Sequence, residues 1–281
     1  MHDGPPNSRM THLTVGVLAL QGAFIEHIKL LRLAADDLLL DEGQQQTRGG
    51  GDQFSHIPSF EFLEVRTPAE LERCNALVIP GGESTSMSLI AERTGLLEPL
   101  REFVKVQRRP TWGTCAGLIL LAESANKSKF TGQELIGGLD VRVHRNYFGR
   151  QVESFEADLE MPFLEDGKPF HTVFIRAPVV EKVLPSSPTS TSAATDDTVL
   201  APAKQATKAH VEILGRLPGR AKAIQDRTTT AADLGEDGDI VAVKQGNVFG
   251  TAFHPELTGD GRIHEWWLKE VLKAVAERQA A

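Results

Sequence analysis

A cysteine flanked by glycines is the feature that most constrains the fold of this chain. Residues 113–117 read Gly-Thr-Cys-Ala-Gly, between a short apolar stretch that ends near Trp112 and a helix-like run at 118–123. Glycines around a strand-to-helix turn allow a sharp bend, and the N-terminus of the following helix favours a thiolate. The pattern predicts a nucleophile elbow with Cys115 at its apex. Because free cysteines are often small buried hydrophobic residues, the pentapeptide alone leaves that alternative open.

A second element of the same chemistry lies far downstream, where residues 253–257 read Phe-His-Pro-Glu-Leu. In an extended segment His254 and Glu256 point to one side, so the carboxylate can accept a hydrogen bond from one imidazole nitrogen while the other faces a thiol. Pro255 fixes its own φ and biases His254 toward extended geometry. We interpret Cys115, His254 and Glu256 as nucleophile, base and orienting carboxylate. Taken alone, a His-Pro-Glu tripeptide is also typical of a solvated loop.

Composition restricts the class of protein. The 281 residues, 41% of them hydrophobic, suffice for a substantial core. The formal net charge is −8 and Lys/Arg-rich stripes with interleaved aromatic residues are absent, which argues against nucleic-acid binding. No apolar run approaches the about 18 residues of a membrane span. The N-terminal residues lack the pattern of a signal peptide, and we expect a cytoplasmic protein that does not enter a membrane.

Cysteine and histidine usage excludes further classes. Two cysteines, Cys74 and Cys115, cannot form a disulfide framework, and no Cys/His cluster has the spacing of a zinc site. We therefore expect neither a metal nor another cofactor. Cys74 is interpreted as a packing residue. His27, in the first predicted helix, is interpreted as a solvated residue without a catalytic role.

Apolar strands alternate with helical patterns in the first half of the chain. A buried strand at 14–20 precedes a helix at 22–33, and strands at 60–65 and 76–79 precede a helix at 85–93. This alternation predicts an α/β fold with three layers and a mostly parallel, doubly wound central sheet.

Strand-like runs dominate the second half and predict an antiparallel extension of that sheet. They lie at 139–143, 151–159, 172–175, 211–214, 240–243 and 248–253, before a closing amphipathic helix at 262–277.

Polar segments interrupt these elements. We expect a disordered tail at 1–11 and one domain at 12–281 that carries polar insertions near 41–59, 185–209 and 225–238. Their Gly, Gln, Ser, Thr and Pro content cannot bury much apolar surface.

Ligands of an open parallel sheet bind at the carboxyl ends of its strands. Residues 80–84 read Pro-Gly-Gly-Glu-Ser and follow such a strand. Backbone N–H groups near Gly82, together with the amide of Ala116, suit an oxyanion hole. The side-chain amide of Gln21 follows the first strand at the same edge. An ordinary turn with Ser84 as helix N-cap is the alternative for this loop.

These residues carry a resemblance to a known family. The chain resembles the class I (triad) glutamine amidotransferases, and more narrowly the glutaminase subunits of pyridoxal 5'-phosphate synthase (the PdxT/SNO family). The elbow and the His-x-Glu pair are typical of the superfamily, whereas Arg-Asn-Tyr-Phe-Gly-Arg-Gln at 145–151 and Phe-Ile-Arg-Ala-Pro at 174–178 indicate the vitamin B6 branch. The matching stretches follow one another along most of the chain, at 16–22, 80–85, 113–117, 145–151, 174–178 and 253–258.

The resemblance implies an activity and a set of site residues. Cys115 would attack L-glutamine to form a γ-glutamyl thioester, with His254 as base and Glu256 as the orienting residue. An arginine fork can grip the α-carboxylate of glutamine, and Glu83 is one possible partner of its α-ammonium group. The resemblance implies that the substrate is bound by Gly82, Glu83, Ser84, Arg145, Ile175 and Arg176. We add Gln21 because it follows the first strand at the same edge of the sheet.

A partner protein is also implied. Ammonia at neutral pH is mostly ammonium, a poor nucleophile, so an ammonia-producing subunit is most useful when docked to the enzyme that consumes its product. The resemblance identifies that enzyme as a barrel-shaped pyridoxal 5'-phosphate synthase subunit of the PdxS/SNZ type. Two alternatives stay open: a cysteine hydrolase of another amide or ester, and a catalytically silent scaffold subunit.

Overall fold

Secondary structure is assigned from a computed structural model of the chain. The structure describes residues 12–47, 58–127, 133–145, 147, 154–185, 198–202, 208–218 and 238–280. The strands are β1 (His12–Leu18), β2 (Ser59–Val65), β3 (Ala76–Ile79), β4 (Thr111–Thr114), β5 (Ala122–Asn126), β6 (Leu139–His144), β7 (Ser154–Leu159), β8 (Phe170–Ile175), β9 (Val179–Val183), β10 (Thr198–Leu200), β11 (Glu212–Leu217), β12 (Asp239–Gln245) and β13 (Val248–Thr251).

The helices accompany these strands on both sides of the sheet. They are α1 (Phe24–Thr47), α2 (Pro68–Glu72), α3 (Ser84–Arg93), α4 (Leu97–Arg101), α5 (Ala116–Leu121) and α6 (Arg262–Ala280), with a π-helical turn at Glu102–Val106 and a 3-10 turn at Pro255–Leu257. Helix α1 packs against α6, and α3 packs against α5. No helix in the described ranges is long and apolar enough to cross a bilayer.

The central sheet runs in the order β10-β5-β6-β9-β12-β13-β4-β3-β1-β2, with β11 paired to β12. Within the run β13-β4-β3-β1-β2, each strand is parallel to the next. Antiparallel pairs link β13, β12, β9 and β6, and β7 pairs with β8 in a separate antiparallel ribbon. The predicted fold class, a mostly parallel α/β sheet with an antiparallel extension, is confirmed.

Strand composition follows from this layering. Every residue of β3, β4 and β13 is buried, because helices cover both faces of a parallel sheet and leave no polar side to alternate with. Register then aligns the ends of these strands: Gly113 pairs with both Ile79 and Gly250, and Thr114 pairs with Thr251. The loops that follow β3, β4 and β13 therefore leave the sheet at one edge.

Three predicted boundaries need correction. Helix α1 continues well beyond residue 33 and takes up the start of the predicted insertion at 41–59, because Ala34, Ala35 and Leu38 extend its buried stripe. Part of the predicted insertion at 185–209 forms the edge strand β10, where Val199 packs against the core.

The third correction concerns the elbow helix, which ends at Leu121. Residues predicted to continue it form β5 instead. Ser59, the last residue of the predicted insertion at 41–59, opens β2. The predicted tail at 1–11, most of the predicted insertion at 225–238, and residues 151–153 lie outside the described residues.

Candidate active site

Cys115 occupies the sharp turn between β4 and α5. Its backbone has φ 48° and ψ −100°, a conformation that non-glycine residues rarely adopt outside functional sites. Its N–H donates to the carbonyl of Thr251 at 2.8 Å. Close packing of the elbow requires glycine nearby, since a Cβ on Gly117 would lie 2.0 Å from the carbonyl oxygen of Ile79. The strand-turn-helix geometry of the predicted elbow is thus present, and Cys115 at its apex is 7% exposed.

The imidazole of His254 lies between the predicted nucleophile and the predicted carboxylate. Its Nδ1 is 2.7 Å from Oε1 of Glu256, and the Cys115 side chain lies near enough to help raise the pKa of the ring. The backbone N–H of His254 donates to the carbonyl of Val173 in β8 at 2.8 Å. The fold therefore brings Cys115 together with a His254–Glu256 pair that lies far downstream in the sequence.

The local geometry of this pair differs from the sequence expectation. His254 lies just outside β13, and Glu256 lies in the 3-10 turn Pro255–Leu257 rather than in an extended segment. Pro255 occupies the first turn of that helix, where its fixed φ suits helical geometry. The turn brings the carboxylate of Glu256 to the imidazole of His254, so the contact does not require an extended segment.

The electrostatics of the three groups are coupled. Burial alone would lower the pKa of His254, but the hydrogen bonds and charges of Cys115 and Glu256 outweigh burial and raise it. Burial would raise the pKa of Glu256, and the influence of His27 and His254 outweighs this and lowers it.

The loop after β3 is held by hydrogen bonds of its own. Glu83, not Ser84, is the N-cap of α3: its carboxylate accepts from the backbone N–H of Thr85 at 3.1 Å and of Ser86 at 2.7 Å. Although burial raises the pKa of Glu83, these bonds outweigh it and lower the value. Gln21 Oε1 accepts the backbone N–H of Glu83 at 3.1 Å, so the side chain of Gln21 fixes this loop.

Arg145 lies buried beside the same loop rather than as a solvated surface charge. Its Nη2 donates to Ser84 Oγ at 2.9 Å and to Thr85 Oγ1 at 3.2 Å. Burial lowers the pKa of the guanidinium, and the charge of Glu83 partly opposes this effect. Of the stretch 145–151, only Arg145 and Tyr147 are among the described residues.

The end of β8 faces the thiol. The carbonyl oxygen of Ile175 lies 4.0 Å from Sγ of Cys115. Arg176, directly after it, is exposed and has φ 43°, a second strained non-glycine conformation at this edge. The two residues predicted to form the oxyanion hole lie close by in the chain. Gly82 is in the loop beside Gln21, and Ala116 begins α5 directly after Cys115.

His27 is fully buried behind Glu256, so the prediction of a solvated residue is wrong. A signal for this existed, because His27 falls on one helical stripe with Leu31, Ala34 and Leu38. The interpretation of Cys74 as a packing residue is confirmed: it is fully buried, and burial raises the pKa of its thiol to about 12.

Comparison with known proteins adds to this geometry. The sequence model of the SNO glutamine amidotransferase family matches residues 17–217 and 211–273, which is most of the chain. This chain belongs to the SNO glutamine amidotransferase family. Within the described residues, no group of three or more His, Cys, Asp or Glu side chains is arranged to hold a metal ion.

Relatives of this SNO-family chain include subunits of one enzyme complex. It is 41% identical over 266 residues to the probable pyridoxal 5'-phosphate synthase subunit PDX2 of Arabidopsis thaliana, covering 92% of this chain and 85% of the relative. It is 39% identical over 256 residues to the pyridoxal 5'-phosphate synthase subunit PdxT of Herpetosiphon aurantiacus, covering 91% and 99%. A crystal structure described as a glutamine amidotransferase is 33% identical with a TM-score of 0.59, covering 92% of this chain and 98% of that one.

Proposed function

We propose that this protein is the glutaminase subunit of a pyridoxal 5'-phosphate synthase and hydrolyses L-glutamine to L-glutamate and ammonia. One observation carries the proposal: the imidazole of His254 is hydrogen-bonded to Glu256 and lies near Cys115, which occupies the apex of a strained elbow. A thiol, an imidazole and a carboxylate in this order are the parts that acyl transfer by a cysteine nucleophile requires. Similarity to the plant and bacterial synthase subunits supports glutamine as the substrate.

The reaction begins with attack of the Cys115 thiolate on the side-chain carboxamide carbon of glutamine. Backbone amides near Gly82 and Ala116 receive the developing oxyanion. The His254 imidazolium protonates the departing nitrogen, ammonia leaves, and a γ-glutamyl thioester remains. The same imidazole then takes a proton from water, which attacks the thioester, and glutamate departs as the thiol is restored.

The substrate pocket lies between the loop after β3 and the end of β8. Arg145 and Arg176 bind the α-carboxylate of glutamine, since guanidinium groups form bidentate hydrogen bonds with carboxylates. Glu83 accepts from the α-ammonium group, and Ser84 and the Ile175 backbone line the cavity. Gln21 acts indirectly, because its amide oxygen already holds the Glu83 backbone.

The ammonia passes to a barrel-shaped synthase subunit of the PdxS/SNZ type. The chemistry of ammonia supports direct transfer, because ammonia released into neutral water is protonated and loses its nucleophilicity. The reaction also needs a reduced thiol at Cys115, which fits the cytoplasm.

The decisive experiment measures ammonia and glutamate release from L-glutamine by the wild-type chain and by Cys115→Ala, each with and without the cognate synthase subunit. We expect hydrolysis by the wild type, faster in the mixture, and none by C115A. Retained hydrolysis by C115A would remove Cys115 from the mechanism. A panel of other amides and esters tests the remaining hydrolase alternative, which predicts faster turnover of one of them than of glutamine.

A further inference from the structure

A second histidine lies directly behind the carboxylate of the proposed triad. Nε2 of His27, on α1, is 3.4 Å from Oε2 of Glu256 and 3.2 Å from Oγ1 of Thr114. Its Nδ1 is 3.0 Å from Nε2 of His264, on α6. The side chains of His27, Thr114 and His264 are completely buried. Nothing in the proposed reaction yet uses His27 or His264.

The carboxylate of Glu256 needs a donor on this side. Its Oε1 is occupied by His254, whereas Oε2 is buried and makes no direct hydrogen bond to any described residue. Among the described cationic and imidazole nitrogens, only Nε2 of His27 pairs with Oε2. A buried carboxylate oxygen without a donor has lost its hydration with no compensating bond, which destabilises the anion. A hydrogen on Nε2 of His27 would place the positive end of an N–H dipole next to this oxygen.

The contacts of the two histidines select the tautomer. If His27 carries its proton on Nε2, the proton faces Glu256 and Thr114, and the Nδ1 lone pair accepts from Nε2–H of His264. Each ring N–H then has an acceptor, Thr114 for His27 and His27 for His264, and the ring nitrogen left without a partner, His264 Nδ1, carries a lone pair and not a hydrogen.

The opposite tautomer pair fits worse. It would direct a lone pair of His27 at the carboxylate, and it would leave Nδ1–H of His264 as a buried donor without an acceptor. The hydrogen-bond network therefore assigns the proton of His27 to Nε2.

Both imidazoles are neutral in this environment. Burial lowers the pKa of His27 despite the opposing charges of Glu256 and Glu26, and the charge of His254 lowers it further. Burial also lowers the pKa of His264 far below its ordinary range, with His27 adding to the effect. A neutral donor stabilises the carboxylate without bringing a second cation that would compete with His254 for it.

We propose that His27 is a positioning residue of the triad: its Nε2–H group, 3.4 Å from Oε2 of Glu256, holds the carboxylate toward His254 by a charge–dipole contact, while His264 fixes the tautomer that makes this possible. This role deepens the proposed glutaminase function and depends on it. His27 also links the two halves of the site, because Thr114 immediately precedes the nucleophile and Glu256 follows the base.

The test compares two variants of His27 in the full-length protein. His27→Gln can place an amide N–H where Nε2 lies, whereas His27→Leu fills similar volume without a donor. We expect H27L to lower kcat about 10- to 100-fold with the glutamine KM within about 2-fold, as for other residues that orient a catalytic group. H27Q should recover most of this loss.

A second readout needs neither glutamine nor the synthase: the rate at which iodoacetamide alkylates Cys115 as a function of pH, with the modified peptide identified by mass spectrometry. Loss of the donor makes Glu256 easier to protonate and weakens the support of the His254 imidazolium. The acid limb of the alkylation profile should therefore move to higher pH in H27L and return toward the wild-type position in H27Q.

The control is Leu31→Ala, which disturbs the buried face of the same helix without removing a hydrogen-bond donor. It should lower the unfolding temperature and leave the alkylation profile in place. If H27L does not fold, His264→Leu, which removes the tautomer constraint, must move the acid limb in the same direction.

An unchanged profile in the folded variant, or H27Q as impaired as H27L, would overturn the positioning role. Failure of the glutaminase function itself is separately visible, because it would appear as undiminished glutamine hydrolysis by C115A.

Discussion

Gly81 lies directly against the imidazole of His254: a Cβ atom at position 81 would be 2.3 Å from Cε1 of that ring. Such a separation is far inside van der Waals contact, so a side chain here forces either the loop after β3 or the imidazole to move. The glycine at this position therefore sets where the proposed base can lie.

We expect Gly81→Ala to reduce kcat for glutamine about 10²-fold, because a displacement on the order of 1 Å in a catalytic group costs that much. Ammonia release under saturating glutamine is the measurement. Gly261→Ala is the matched control, since a Cβ there meets no atom within 4 Å and the backbone has an ordinary φ. Equal activity of G81A and G261A would contradict the steric argument.

Strain at the elbow predicts a stability difference between two inactive variants. Cys115 has φ 48°, which costs an ordinary L-residue about 1–3 kcal/mol and glycine little. Both Cys115→Ala and Cys115→Gly should abolish ammonia release while retaining the fold. In denaturant titrations C115G should be more stable than C115A by up to about 2 kcal/mol; a less stable C115G would mean that the turn is not strained.

The pKa of Glu256 predicts how its contribution to stability depends on pH. The folded-state pKa lies below the ordinary value of 4.5, so the carboxylate stabilises the fold above pH 4.5, and this stabilisation is lost as pH falls through the lowered value. Glu256→Gln should therefore be less stable than wild type at pH 7, with the difference in unfolding free energy shrinking on acidification. A difference that grows toward low pH would contradict the direction of the shift.

Glu256→Gln should also lower kcat, since the amide cannot match both imidazole donors that face this position. By comparison with the orienting carboxylate of other triads, we expect a loss of up to about 10⁴-fold. Ammonia release at pH 7 measures it. Activity within about 2-fold of wild type would remove Glu256 from the proposed triad.

Arg145 is expected to act on binding rather than on chemistry. Arg145→Met should raise the glutamine KM about 10- to 100-fold, because a buried guanidinium that binds a carboxylate would be lost. Turnover of a γ-carboxamide substrate that lacks the α-carboxylate should change little. Arg142→Met, three positions earlier in β6 and paired with Glu181, is the control and should leave both substrates unaffected. Equal losses on both substrates would argue against α-carboxylate recognition by Arg145.

Much of the fold could be predicted from sequence because the strands of a parallel sheet are buried on both faces. The bounds of β3, for example, match the apolar run at 76–79. The elbow at Cys115 was recognisable because glycines flank it, and glycine permits the sharp, closely packed turn that an elbow needs. In both cases the physical constraint is local, so it leaves its mark in consecutive residues.

What the sequence could not provide depends on contacts between distant elements. Glu83 reads as a substrate ligand and also caps its own helix, which only the backbone path reveals. The residues around His27 do not indicate which part of the chain its helix packs against, so the position of His27 behind Glu256 is a property of tertiary packing. The length of α1 was underestimated because the polar run at 41–47 resembles a loop.

The pairing of Thr114 with Thr251 in adjacent strands has a consequence for how this fold can vary. Since those two threonines lie side by side in the sheet, the separation of the sulfur from the imidazole does not depend on the length of the loops between Cys115 and His254. Lengthening such a loop costs closure entropy that grows only slowly with loop length. Insertions or deletions in loops that contribute no residue to the site are therefore compatible with an unchanged arrangement of sulfur and imidazole.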